Sequence, residues 1–164
     1  MKLNNYFDIQ PYSLDKINKS KYLESYFFEL TQFHYKNCTK YRNMLDAVGY
    51  NNKRQHHYSE IPFLPVRLFK MFDLHSIPKG DIVKTMTSSG TSGQNVSKIF
   101  LDKETALNQS KALTKIVSTY LGSKRTPMII IDSPAVLKNR KMFSARGAGI
   151  IGFSIFGTKR IYAL

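Results

Sequence analysis

Between Ile82 and Asp132 the chain reads as two short apolar runs around a polar tract, then a long helical stripe, then a third apolar run. This order constrains the fold more than any other feature, because a switch from strand-like to helical periodicity and back marks an α/β core. Ile82–Thr87 and Ser97–Leu101 are the first two strand candidates. Asp102 is a good N-cap for a helix running to Leu121, with Ala106, Leu107, Leu113, Ile116, Val117, Tyr120 and Leu121 on its apolar stripe and Gly122 to close it. Pro127–Asp132 (PMIIID) reads as a buried strand of a βαβ unit, and Ile150–Phe156 as one more strand.

The first third of the chain reads as helical. Leu23, Tyr26, Phe27, Leu30 and Phe33 fall at spacings of three and four, predicting a buried helical face between Ser20 and Cys38. A second helix is expected over Tyr41–Val48, stopped by a left-handed cap at Gly49. His56 and His57 lie in a polar tract, where adjacent side chains do not usually converge on one metal, and an exposed loop pair is the expectation. In IPFLPVRLFKMF, Pro65 suits the first turn of a short helix that carries Leu68, Phe69 and Phe72 inward. The expected fold class is α/β: a helical N-terminal region over residues 1–80, then an incomplete nucleotide-binding core over 81–164.

Composition narrows the partners. Hydrophobic residues at 42% and aromatics at 13% supply a real core and argue against global disorder. Twenty-five Lys and Arg against 11 Asp and Glu give a net charge of +14, a field that draws anions of any kind. Nucleic acid is one such partner, yet the longest basic cluster, Lys138–Lys141, is short, no nucleic-acid motif is present, and the tyrosines mostly fall at helical core spacings. The single cysteine, Cys38, allows no internal disulfide, and no run approaches the ~18 apolar residues of a membrane span. A cytoplasmic protein is the expectation.

The polar tract holds five hydroxyls, on Thr87, Ser88, Ser89, Thr91 and Ser92, around Gly90 and Gly93. Small residues let backbone N–H groups approach an anion closely, and hydroxyls add donors, so the tract suits phosphate. A plain hairpin turn has the same composition. It is not a Walker loop, since Gln94 follows Gly93 where that motif requires lysine. Later, Gly147-Ala148-Gly149-Ile150-Ile151-Gly152 satisfies the dinucleotide pattern, but that fingerprint needs a helix after it and an acidic residue ~20 positions on. The FSIFG that follows reads as strand, so tight packing or a turn is the better account of these glycines.

SSGTSGQ (Ser88–Gln94) resembles the phosphate-binding loop of AMP-forming acyl-activating enzymes, where a Ser/Thr/Gly cluster is usually followed by Pro-Lys-Gly. The wider string is similar to the acyl-protein synthetase (LuxE) family, on PFLPVRLFK, TSSGTSGQ, SKIFLD, RTPMIIID and FSARGAGIIGFSIFG. The resemblance implies part of the mixed sheet-and-helix core of an adenylate-forming enzyme. It implies ATP and Mg²⁺ as cofactors, a fatty acid as substrate, and an acyl-accepting protein as partner. In that chemistry the acid's carboxylate attacks the α-phosphate, pyrophosphate leaves, and the acyl group passes to a cysteine. By position the phosphates would meet Thr87, Ser88, Ser89, Gly90, Thr91, Ser92 and Gly93, with Lys98 as an added cation further along than the usual lysine. Full-length relatives are longer, so the resemblance implies an N-terminal half that is inactive alone. Such a half would associate with its missing C-terminal part or with itself, through exposed sheet edges and core surface. Cys38, inside an N-terminal helical region, does not match the family's late acyl-accepting cysteine.

Overall fold

The computed structural model describes residues 6–88, 95–137 and 142–164, with the backbone alone at 142–145. It is a mixed α/β structure that divides into two compact units, Met1–Pro78 and Lys79–Leu164.

The first unit is built on two helices. Helix α1 (Lys16–Asn37) starts before the apolar stripe does, because the Asp15 carboxylate accepts the Asn18 amide at 2.8 Å and caps the free N–H groups of its first turn. Helix α2 (Thr39–Ala47) follows after one residue, and Gly49 at φ +71° supplies the left-handed stop that its position predicts. Cys38 sits at this junction, buried, with its amide donating to the His34 carbonyl at 2.8 Å. Leu45 of α2 is fully buried, and Leu23, Tyr26, Phe27, Leu30 and Phe33 of α1 are half-buried. Tyr6 closes one side, its ring centroid 5.8 Å from Tyr22 and 6.1 Å from Tyr26. Burial raises the phenol pKa of Tyr22, Tyr26 and Tyr41. A short helix, α3 (Leu68–Met71), follows Pro65, whose carbonyl accepts the Leu68 amide at 2.9 Å.

Of the histidine pair expected to be exposed, His57 is exposed and His56 is not. The His56 side chain is only 9% exposed: its ring lies 4.7 Å from Tyr50, and its Nε2 meets the Asn51 carbonyl at 2.7 Å. His57 accepts the Ser59 amide at Nδ1, which leaves Nε2 to face Glu24 at 3.5 Å.

Among the described residues the second unit contains two small sheets. In the first, β1 (Lys84–Thr87) lies between β2 (Lys98–Leu101), antiparallel, and β4 (Met142–Ser144), parallel, giving the order β2-β1-β4. In the second, β3 (Thr126–Ile130) pairs in parallel with β5 (Gly157–Tyr162). Helix α4 (Lys103–Leu121) joins them, with the Asp102 carboxylate accepting the Thr105 amide at 2.7 Å and Gly122 closing it at φ +71°. Helix α5 (Ala145–Phe153) leads from β4 toward β5.

Three expectations change here. β3 is not a buried strand: only Ile130 is buried, while Ile129 is 70% and Ile131 is 80% exposed, because among the described residues the strand has one partner and one open face. The stripe of α4 is narrower than its sequence implies, with Ala106, Leu113 and Val117 half-buried but Leu107, Ile116, Tyr120 and Leu121 exposed. Ile150–Phe156 is not a strand either. Residues to Phe153 continue α5, Ser154–Phe156 form a 3-10 turn, and β5 begins at Gly157. A short apolar run has no period that separates helix from strand, and here the Ser154 hydroxyl bonds back to the Ile150 carbonyl at 2.6 Å, as helical backbone allows. The glycine pattern therefore lies within a helix. A Cβ at Gly152 would stand 3.0 Å from Leu113 Cδ2, so this glycine lets α5 approach α4 closely, which is the tight packing expected.

Candidate functional site

The hydroxyl-rich tract emerges from the end of β1 and returns into β2. Val83 donates to the Leu101 carbonyl at 2.9 Å at one end of this hairpin. At the other end, Ser88 donates its amide to the Ser97 carbonyl at 3.1 Å, and Ser97 returns its amide to the Ser88 hydroxyl at 3.0 Å. Ser88 is thus the latch at the neck of the tract, with one acceptor site of its hydroxyl committed to closing the loop. Ser89, Gly90, Thr91, Ser92 and Gly93 lie outside the described residues.

Register brings the remaining predicted residues together. Thr87 pairs with Lys98 across β1 and β2, and with Ser144 across β1 and β4. Lys98, Thr87 and Ser144 therefore form one row across the three strands. Residues paired across a ladder project to the same face, so Thr87 and Lys98 share one, immediately below the neck. The row also marks where two parallel strands, β1 and β4, reach their carboxyl ends. In open α/β sheets that edge is where ligands bind.

Three residues at this edge carry chemistry that sequence reasoning gave no role. The Ser97 hydroxyl is buried and has no hydrogen-bond partner among the described residues. Asp132, two residues beyond β3, holds a carboxylate that accepts the Ser133 amide on Oδ1 at 2.7 Å and the Arg146 Nε–H on Oδ2 at 2.9 Å. Arg146 lies two residues beyond Ser144, in the first turn of α5, which packs against β1. Asp132 and Arg146 each end or fall within a segment that carries the family resemblance, and that was the available signal. Asp102 anchors the far end of β2, where the Thr105 hydroxyl and amide hold its carboxyl below the usual carboxylate range.

Among the described residues no group of three His, Cys, Asp or Glu could hold a metal ion. No helix among the described residues is long and apolar enough to cross a membrane.

A family model described as acyl-protein synthetase, LuxE, matches residues 3–164. The chain belongs to the LuxE acyl-protein synthetase family. No curated protein and no solved structure matches it. Membership spans nearly the whole chain, so both units are family structure. At family level the chain is an acyl-protein synthetase, an enzyme class that joins an acyl group to protein.

Proposed function

We propose that this chain contributes the ATP-phosphate site for activating a fatty acid as its acyl-adenylate. The observation that carries this reading is the row Lys98–Thr87–Ser144, which sets a hydroxyl- and glycine-rich tract on the carboxyl edge of two parallel strands. Pyrophosphate leaves with accumulating negative charge, and donors preorganised around it stabilise that charge without rearranging. Thr87 and Ser88 start the donor set, Ser89 to Gly93 continue it, and Lys98 adds a cation below the neck. Magnesium, when bound on the β- and γ-phosphates, would neutralise charge there.

The acyl group then passes to a protein cysteine. Cys38, the single thiol in the sequence, is buried at the α1–α2 junction and is not assigned that role. The step assigned to these residues in this reading is nucleotide binding.

Isothermal titration with ATP–Mg²⁺ tests the reading. Thr91→Val and Ser92→Ala should each weaken binding relative to wild type, and equal heats for all three would remove the tract from the site. A second reading, binding of nucleic acid, draws on the charge of the second unit: residues 79–164 hold fourteen Lys and Arg against four Asp and Glu. Oligonucleotide binding that weakens steeply with salt, unaffected by ATP, would favour it.

A further inference from the structure

We propose that Arg146 is a substrate-positioning residue that grips an oxyanion of the bound substrates, with Asp132 as the bracket that aims it. This deepens the ATP-dependent reading and rests on it. Arginine recognises carboxylates and phosphates through a planar fork of N–H groups, and the fork is useful only if its plane is fixed. Here the Nε–H is fixed by Asp132 at 2.9 Å, while the side chain stays 70% exposed, so the terminal N–H groups of the fork face solvent.

The bracket is itself rigid. Asp132 is only 14% exposed, and both carboxylate oxygens are engaged, one by the Ser133 amide and one by Arg146. A surface ion pair made for stability alone is worth little and leaves both partners mobile. This one differs, because a nearly covered carboxylate at the end of β3 holds an exposed guanidinium at the start of α5.

Position supplies the second argument. Arg146 follows Ser144 by two residues, and Ser144 stands level with Thr87, the last residue of β1 before the hydroxyl-rich tract. Arg146 therefore follows directly from the carboxyl end of β4, the neighbour of β1 on the side opposite β2, which carries Lys98. Two cations then flank the strand that leads into the tract. The reacting groups of such a reaction are a carboxylate and an α-phosphate, both oxyanions that a guanidinium fork accepts.

The test measures binding of ATP–Mg²⁺ and, separately, of sodium octanoate by calorimetry, with a thermal melt for every variant. Arg146→Gln should weaken one of the two ligands by about tenfold, the loss of a charge-assisted contact, while the variant still melts cooperatively. Weakened ATP identifies the phosphate as the gripped group, and weakened octanoate identifies the carboxylate. Asp132→Asn should weaken the same ligand less, and Lys115→Gln, which removes an exposed charge from α4, should change either affinity by less than about twofold. Wild-type binding that Arg146→Gln leaves unchanged overturns the role of Arg146 alone. Wild-type protein that binds neither ligand overturns both this role and the ATP-dependent reading beneath it. If Arg146→Gln does not fold, Arg146→Lys keeps the charge and loses the fork, and unchanged affinity in it overturns the proposal equally.

Discussion

In the N-terminal unit, rings from Tyr6, Tyr22 and Tyr26 close on one another and Leu45 is sealed from solvent, whereas in the C-terminal unit Ile129 and Ile131 stand 70% and 80% exposed. Charge separates the two further. Residues 1–78 carry eleven Lys and Arg against seven Asp and Glu, and residues 79–164 carry fourteen against four. Like charge concentrated in a small unit repels itself and costs stability unless an anion relieves it. A parallel pair such as β3–β5 is ordinarily covered on both faces, and here one face is open. The contrast teaches that the first unit closes a ring cluster over one sealed leucine, although Phe63 and Val66 remain exposed, while the second leaves a face of its parallel pair open and carries the denser positive charge. That difference can be broken or sharpened by substitution.

The largest effect belongs to the core of the first unit. Leu45→Ala removes the one large side chain fully buried among the described residues and should cost about 2–5 kcal/mol by urea denaturation, from lost burial plus the cavity left behind. A cost near zero would mean that this core is as open as the second unit, and the contrast would fail. In the second unit, the close approach of α5 to α4 is the counterpart. Gly152→Val should cost about 1–3 kcal/mol, because its side chain must displace Leu113. Gly152→Ala should cost less, since the obstructing atom is the tip of a side chain and alanine gains up to about 1 kcal/mol over glycine in a helix.

The two units also differ in how far their sequences disclose them. Helix α4 was legible to the residue, because Asp102 and Gly122 are local signals that act on their own backbone. The hairpin holding the hydroxyl-rich tract was legible for the same reason: two apolar runs and a polar tract between them. Helix α5 was not, since an apolar run without period fits either element, and what decides it is packing against α4 and β1. Of the candidate site, Thr87, Ser88 and Lys98 were visible as residue types next to a loop. Their alignment with Ser144 was not, because β4 lies more than forty residues away and register is a long-range property. Asp132 and Arg146 lie in separate segments of the sequence, and only the fold makes them a pair.

A smaller effect tests the cap that sequence revealed. Asp102→Ala should cost about 1 kcal/mol through the uncapped first turn of α4. Its carboxyl pKa is lowered in the fold by the Thr105 hydroxyl and amide, so the unfolded chain holds the proton more tightly. The contribution is therefore present above the unfolded value near ~3.9 and is lost as pH falls through the lower folded value. The stability difference between wild type and Asp102→Ala should shrink in acid, and a constant difference would mean that the carboxylate is not what caps the helix.

The smallest effect lies in the first unit and concerns His34. Its Nδ1 meets the Ser76 hydroxyl at 2.6 Å, its ring lies 5.4 Å from Phe33 and 5.9 Å from Tyr41, and burial lowers its pKa by disfavouring the charged form. Between the lower folded value and the unfolded value near ~6.5, the unfolded chain binds more protons. The stability His34 contributes is thus fully present above that unfolded value and falls away as pH drops through the folded one. His34→Gln removes the titration, so that variant should lose less stability than wild type between about pH 7 and pH 5, measured by urea midpoints. Equal losses would show that protonated His34 is tolerated where it sits. The first unit would then be less tightly closed around its polar groups than its geometry indicates, and the contrast with the second unit would narrow to charge alone.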